Sequence, residues 1–203
     1  MVFVIEEFPV LGSCAGTEII KIVFKQYTVM TEGKKCKIVI FGAFGAGKST
    51  LIKSIDPESR HVEAGCPGGT TTVALDYGRV QVNGICIHLF GTPGQERFEF
   101  AREIIAKGMD GAILLVDATS EPDDVTRHLF DSLSSAKIPL AIFLNKCENV
   151  GANPELLEKQ FEAFPVWKIS ALDRKQSLRA LGNFVGSILS FDHGGAYNSS
   201  GHT

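Results

Sequence analysis

The chain has 203 residues, of which 44% are hydrophobic and 21% charged, enough to close one sizeable core without staples and short for two full domains. Its net charge of −3 lacks the basic surplus of a general nucleic-acid binder, so no nucleic-acid partner is expected. Five widely spaced cysteines (Cys14, Cys36, Cys66, Cys86, Cys147) include no Cys-x-x-Cys pair, which argues against a zinc site and favours a reducing, cytoplasmic setting.

Residues 1–34 carry two strand-like runs, Val2–Phe8 and Glu18–Met30, and are expected to form a β-hairpin-like extension. From residue 35 to 191, strand-length apolar runs alternate with helical patterns. Lys37–Phe41 reads as a buried strand, followed by a glycine loop and a helix over Lys48–Ile55. The hydrophilic stretch Asp56–Thr71 is expected to be a loop. Thr72–Val82 and Ile85–Phe90 are strands joined by Asn83-Gly84, a strong hairpin signal. A helix over Phe98–Lys107, a strand over Gly111–Val116 and a helix over Asp123–Ser135 come next. They are followed by a strand over Leu140–Leu144, a helix over Pro154–Phe161, a strand over Val166–Ile169 and a closing helix over Gln176–Leu189. Cys36 and Cys86 lie inside apolar stretches and read as small core residues. Six strands alternating with five helices predict a mainly parallel α/β sheet covered on both faces, with one antiparallel hairpin strand at its edge.

Residues 192–203 are polar and glycine-rich and are expected to form a disordered tail. No apolar run approaches the ~18 residues of a membrane span. Val2 and the terminal Gly201-His202-Thr203 offer neither a myristoylation glycine nor a prenylation box, so no covalent lipid anchor is expected.

The sharpest motif is Gly42-Ala43-Phe44-Gly45-Ala46-Gly47-Lys48-Ser49, which satisfies G-x-x-x-x-G-K-[ST] between a strand and a helix, the context that gives the motif meaning. Glycines let consecutive amides turn inward around a β-phosphate, and the helix N-terminus adds positive potential. Lys48 places an ammonium on the β and γ oxygens, Ser49 offers its hydroxyl to Mg²⁺, and Thr50 completes the set expected around the nucleotide. Kinases, ATPases and GTPases all use such a cradle, so the motifs after it must choose.

Those motifs resemble the Ras superfamily of small GTPases. Thr72-Val73-Ala74-Leu75-Asp76-Tyr77 is similar to the entry to the second strand in Rab proteins. The resemblance makes Thr72 the switch I threonine, a Mg²⁺ ligand whose amide reaches the γ-phosphate. Leu89-Phe90-Gly91-Thr92-Pro93-Gly94-Gln95-Glu96-Arg97-Phe98 resembles the Asp-x-x-Gly-Gln switch II motif. Gly94 would donate its amide to the γ-phosphate, and Gln95 would orient the attacking water. Gly91 stands where the family has an aspartate that holds Mg²⁺ through its coordination shell, which predicts weaker metal binding or a replacement carboxylate from elsewhere. Asn145-Lys146-Cys147-Glu148 occupies the place of Asn-Lys-x-Asp, with Glu148 set to accept two guanine hydrogens, a pattern adenine cannot supply. Ser170-Ala171-Leu172 resembles the Ser-Ala-Lys base loop, with Ala171 offering its amide to the guanine oxygen and Leu172 replacing the usual lysine.

The runs GGTTTVALDYG and FGTPGQERF look most like a prokaryotic branch that includes the gliding-motility switch protein and the conservon GTPases. These act beside Roadblock-type proteins, so the resemblance implies such a partner. It also implies a switch that binds GTP or GDP with Mg²⁺ and uses Gln95, Lys48 and Thr72 in slow hydrolysis, on the order of 10⁻⁴ to 10⁻² per second without help. Phe44, beside the γ-phosphate position where relatives carry a small residue, would crowd Gln95 or an incoming arginine. Arg60 and Arg97 read as solvated surface charges. The alternatives are a GTP- or GDP-binding scaffold that scarcely hydrolyses and a small P-loop kinase, although no arginine lid follows Leu75.

Overall fold

The computed structural model describes residues 34–65, 72–94 and 99–194. The expected N-terminal extension, apart from Lys34, lies outside the described residues, as do Gln95, Arg97 and the chain beyond Gly194.

Strand β1 (Lys35–Phe41) runs into helix α1 (Lys48–Ile55), then β2 (Arg60–Gly65), β3 (Thr72–Val82) and β4 (Ile85–Gly91). Helix α2 (Glu99–Ala106), β5 (Gly111–Asp117), α3 (Asp124–Ser135) and β6 (Leu140–Asn145) follow. Helix α4 (Pro154–Gln160), β7 (Val166–Lys168) and α5 (Arg174–Gly194) complete the order. The strands form one seven-stranded sheet in the order β2-β3-β4-β1-β5-β6-β7. Pairings from β4 to β7 are parallel, whereas β2–β3 and β3–β4 are antiparallel.

Seven strands rather than the expected six form the sheet. The additional one, β2, comes from the stretch expected to be loop, and its backbone pairs with β3 from Arg60↔Tyr77 to Gly65↔Thr72. It displaces β3 from the edge that the hairpin was expected to occupy. Its sequence, RHVEAG, alternates polar and small apolar residues, too weak a pattern to stand out without the ladder that β3 provides. The β3–β4 turn agrees with expectation: Asn83 (φ 51) and Gly84 (φ 78) both take positive φ, as a two-residue hairpin requires.

Alternation along β1 explains the layered core. Ile38 and Ile40 face one side with Leu51, Ile52 and Ile55 of α1 and Leu181, Phe184 and Val185 of α5. Val39 and Phe41 face the other, with Ile105 of α2, Leu129 of α3 and Leu157 of α4. Each strand supplies both layers because successive side chains point to opposite faces. Cys36 and Cys86 are buried in the core, as expected. Asp123 caps α3 by accepting from the Thr126 amide at 2.8 Å, and Asn153 precedes Pro154 at the start of α4. Among the described residues no helix is long and apolar enough to cross a membrane.

Because β4, β1, β5, β6 and β7 run in parallel, their C-terminal ends Gly91, Phe41, Asp117, Asn145 and Lys168 share one edge. The chain moves from β1 outward to β4, then crosses to β5 on the other side of β1. That reversal opens a crevice beyond the end of β1, where open α/β sheets take their ligands.

Candidate nucleotide-binding site

The cradle leaves β1 at Gly42 and enters α1 through Gly47, whose φ of 100° is left-handed. A Cβ at Gly47 would lie 2.4 Å from the Asn145 Nδ2 atom, so only glycine lets the loop approach β6 this closely. Asn145 is buried and uses both ends of its amide. Nδ2 donates to the Ala46 carbonyl at 2.8 Å, and Oδ1 accepts from the Ala171 amide at 2.7 Å. One side chain at the end of β6 therefore ties the cradle to the expected base loop. The Ala171 amide, expected to face a guanine oxygen, is instead directed at Asn145 in this structure.

Lys48 is 8% exposed. Its ammonium bridges the cradle, donating to the carbonyls of Gly42 at 2.8 Å and Ala43 at 2.7 Å. Burial lowers its pKa to about 8, with Asp76 opposing the shift and Arg102 adding to it. Gly94 packs directly against this group: a Cβ there would lie 2.6 Å from the Phe44 nitrogen and 2.8 Å from Lys48 Nζ. Gly94, expected to donate its amide to a γ-phosphate, thus lies against the cradle. Thr92 anchors the approach, donating from its amide and its hydroxyl to the Ile40 carbonyl at 3.0 and 3.1 Å. Phe44 is 81% exposed at the cradle's mouth. Its expected encounter with Gln95 falls outside the described residues.

On the metal side, Ser49 donates its hydroxyl to Asp76 Oδ2 at 2.6 Å, and His61 Nδ1 lies 2.6 Å from Asp76 Oδ1. A hydroxyl and a carboxylate are the hard oxygen donors that suit Mg²⁺, which keeps several waters and shares phosphate oxygens. The residues present therefore fit a nucleotide-borne Mg²⁺. Among the described residues no cluster of three or more His, Cys, Asp or Glu could hold a metal alone. Thr72 opens β3 opposite Gly65, and its hydroxyl falls outside the described side chains. Thr50 follows Ser49 on α1 and is exposed.

On the base side, Lys146 adopts φ 63° and pairs with Asp117 Oδ2 at the end of β5. Burial works to raise the Asp117 carboxyl, but hydrogen bonds from Lys146 and Thr119 outweigh it and hold the pKa below its ordinary value. Glu148 Oε1 accepts from the Ser170 hydroxyl at 2.7 Å. The Leu172 amide donates to the same Ser170 oxygen at 3.3 Å, while the Leu172 side chain is exposed. A surface depression beside Glu148, Ser170, Leu172 and Gln176 lies where a base is expected. The residues anticipated for phosphate and for base are thus brought to one edge, on either side of Asn145.

Four residues were not given roles by sequence. Asp76 lies inside the Thr72–Tyr77 run, but its strand register shows only in the fold. Asp117 ends a buried strand, where a lone acid is a signal without a partner until Lys146 is placed. His61 sits on the unforeseen strand β2. Arg102 is buried on α2 with Nη1 3.5 Å from the Pro93 carbonyl, a tether behind switch II.

A parallel-centred sheet with a glycine cradle after β1, at its switch point, and the expected base loop after β7, three strands along the same edge, defines the P-loop GTPase fold. Solved structures agree on that fold. The G domain of the T. maritima FeoB iron transporter superposes with a TM-score of 0.59 at 20% identity, over 76% of this chain and 99% of its own. The Arl6 small GTPase of Trypanosoma brucei gives 0.59 at 18%, over 77% and 99%. The chain belongs to the elongation factor Tu GTP binding domain family, which it matches over residues 67–190. An uncharacterized protein of Methanocaldococcus jannaschii is 39% identical over 112 residues, 55% of this chain and 70% of that protein. Translation initiation factor IF-2 of Mesoplasma florum is 31% identical over 129 residues, 64% of this chain but only 20% of the factor's length.

Proposed function

We propose that the chain is a guanine-nucleotide switch that hydrolyses GTP slowly with Mg²⁺. The observation that carries this reading is Asn145, whose amide joins the phosphate cradle at Ala46 to the base loop at Ala171. A nucleotide spanning the two would be felt by both. Lys48 would exchange the Gly42 and Ala43 carbonyls for β and γ oxygens, and Gly94, which lies against Lys48, would meet the γ-phosphate through its amide. Glu148, steadied by Ser170, would accept guanine's two hydrogens. Gln95 would orient the attacking water, and Thr72 would reach the metal and γ-phosphate from the start of β3. Ser49 and Thr72 would hold Mg²⁺, which would supply neutralisation of phosphate charge. The resemblance of the runs GGTTTVALDYG and FGTPGQERF to the gliding-motility and conservon-type branch supports a Roadblock-type protein as the partner that would read the switches.

The second reading is a GTP- or GDP-binding scaffold that scarcely turns over. It draws support from Gly91, which brings no carboxylate, and from the exposed Phe44 ring at the cradle's mouth. Calorimetry with GTP, GDP and ATP, with and without Mg²⁺, tests the nucleotide assignment; binding of ATP in preference to GTP would overturn it. Single-turnover GTP hydrolysis by wild type and Gln95→Ala separates switch from scaffold. The switch reading expects slow turnover that Gln95→Ala abolishes, and no turnover in either protein would leave the scaffold.

A further inference from the structure

Gly91 ends β4 where related proteins carry the metal-side aspartate, yet the space beside it is filled. In the antiparallel β3–β4 ladder, Asp76 lies directly opposite Gly91. A Cβ built on Gly91 would come within 3.2 Å of Asp76 Cβ and 3.4 Å of its Oδ2, and within 3.0 Å of Ile52 Cδ1. The glycine and the aspartate across the ladder are therefore complementary: one supplies a carboxylate and the other the room for it. The same Oδ2 accepts the hydroxyl of Ser49, the expected Mg²⁺ ligand, at 2.6 Å. The other oxygen meets His61 on β2 at 2.6 Å. A carboxylate held at both oxygens has a fixed direction, and its charge reaches into the cradle far enough to oppose the loss of Lys48's proton.

We propose that Asp76 is the metal-positioning carboxylate of this chain, reaching from β3 into the space that Gly91 leaves and orienting Ser49 and the waters of the nucleotide-bound Mg²⁺. This rests on the guanine-nucleotide reading above. Asp76 acts through Ser49 and the metal's waters, so it is a positioning residue. Its placement on the strand that begins at Thr72 also puts it and the second expected metal ligand on one element. His61 then links that carboxylate to the neighbouring edge strand.

The test is the Mg²⁺ dependence of guanine-nucleotide retention. Release of a fluorescent GDP analogue is followed across a range of free Mg²⁺ for wild type and for Asp76→Asn, which keeps the shape and an acceptor for Ser49. The Mg²⁺ needed for half-maximal slowing of release should rise at least tenfold in Asp76→Asn. Release in excess EDTA should change less than threefold, which a merely structural defect would not respect. Binding of Mn²⁺ to the GDP complexes, followed by electron paramagnetic resonance, should weaken in parallel. The exchange variant, Asp76→Gly with Gly91→Asp, should recover retention to within a few fold of wild type. An Asp76→Asn protein with the wild-type Mg²⁺ requirement would overturn the proposal alone. So would an exchange variant that binds GDP normally in EDTA yet ignores Mg²⁺. A wild type that shows no Mg²⁺ effect at all would overturn it together with the nucleotide reading.

Discussion

Lys48 holds its charge in the cradle by donating to two backbone carbonyls while burial drags its pKa down to about 8. Phosphate oxygens in place of those carbonyls favour the charged form and raise the pKa again. Between about 8 and the raised value, binding therefore takes up a proton, and affinity falls as pH climbs through that window. Calorimetry at pH 8.5 in buffers of different ionisation enthalpy should report net proton uptake that is absent at pH 6.5. Lys48→Met should remove the uptake and lose about 1.5–3 kcal/mol of binding, the usual worth of a charged hydrogen bond. The sequence carried this residue plainly because the cradle motif is contiguous and its neighbours are fixed by the strand and helix around it. Asp76 and Asp117 were not legible in the same way. Asp76 acquires its meaning from Gly91, fifteen positions on by chain number, through a cross-strand pairing. Asp117 acquires its own from Lys146 across the parallel β5–β6 ladder.

Elements differ in how tightly they are pinned, and α5 shows both extremes. Its inner face closes on the start of β5. A Cβ at Gly111 would lie 2.6 Å from Ile188 Cδ1, 3.0 Å from Phe184 Cζ and 3.2 Å from Ile38 Cδ1. Gly111→Ala should destabilise the protein by about 1–3 kcal/mol, the range for overpacking a close-fitted core. On the outer face, a Cβ at Gly186 would meet nothing within 4 Å. Gly186→Ala should stabilise by about 0.5–1 kcal/mol, since glycine inside a helix forfeits backbone entropy on folding. Chemical denaturation of the two variants should move the midpoints in opposite directions. The helix itself was expected from its apolar period, though it begins at Arg174, two residues before the expected start. Asp173 accounts for that, accepting from the amides of Lys175 and Gln176 and so capping the first turn. Strand β2 marks the limit of local reading. Nothing within RHVEAG outweighs a loop, and what makes it a strand is β3 alongside it.

For the whole molecule, the two-layer core and the parallel edge followed from the alternation of apolar runs, because period and chirality leave few ways to cover such a sheet. The layers also explain how the fold responds to acid. His88 on β4 is 3% exposed, with Tyr77 Oη 2.9 Å from Nδ1 and Cys86 Sγ 3.4 Å from Nε2. Burial, helped by the charges of Lys35 and Arg79, lowers its pKa from 6.5 to about 4. The unfolded chain binds that proton near pH 6.5 and the folded chain only near 4. Stability is therefore full above 6.5 and falls as pH drops toward 4, with a slope from this one group of at most about 1.4 kcal/mol per pH unit. Asp117 carries the loss further down: its folded pKa lies below the ordinary 3.8, so the stability it adds above that value disappears at lower pH still. The two windows follow one another and have the same sign. Urea unfolding of wild type should show a clear decline between pH 7 and 5, before most carboxylates begin to titrate. His88→Gln, which keeps a polar group between Tyr77 and Cys86 but cannot take a proton there, should flatten that decline while leaving the steeper loss below pH 4. An equally steep decline in His88→Gln would place the acid-sensitive group elsewhere in the fold.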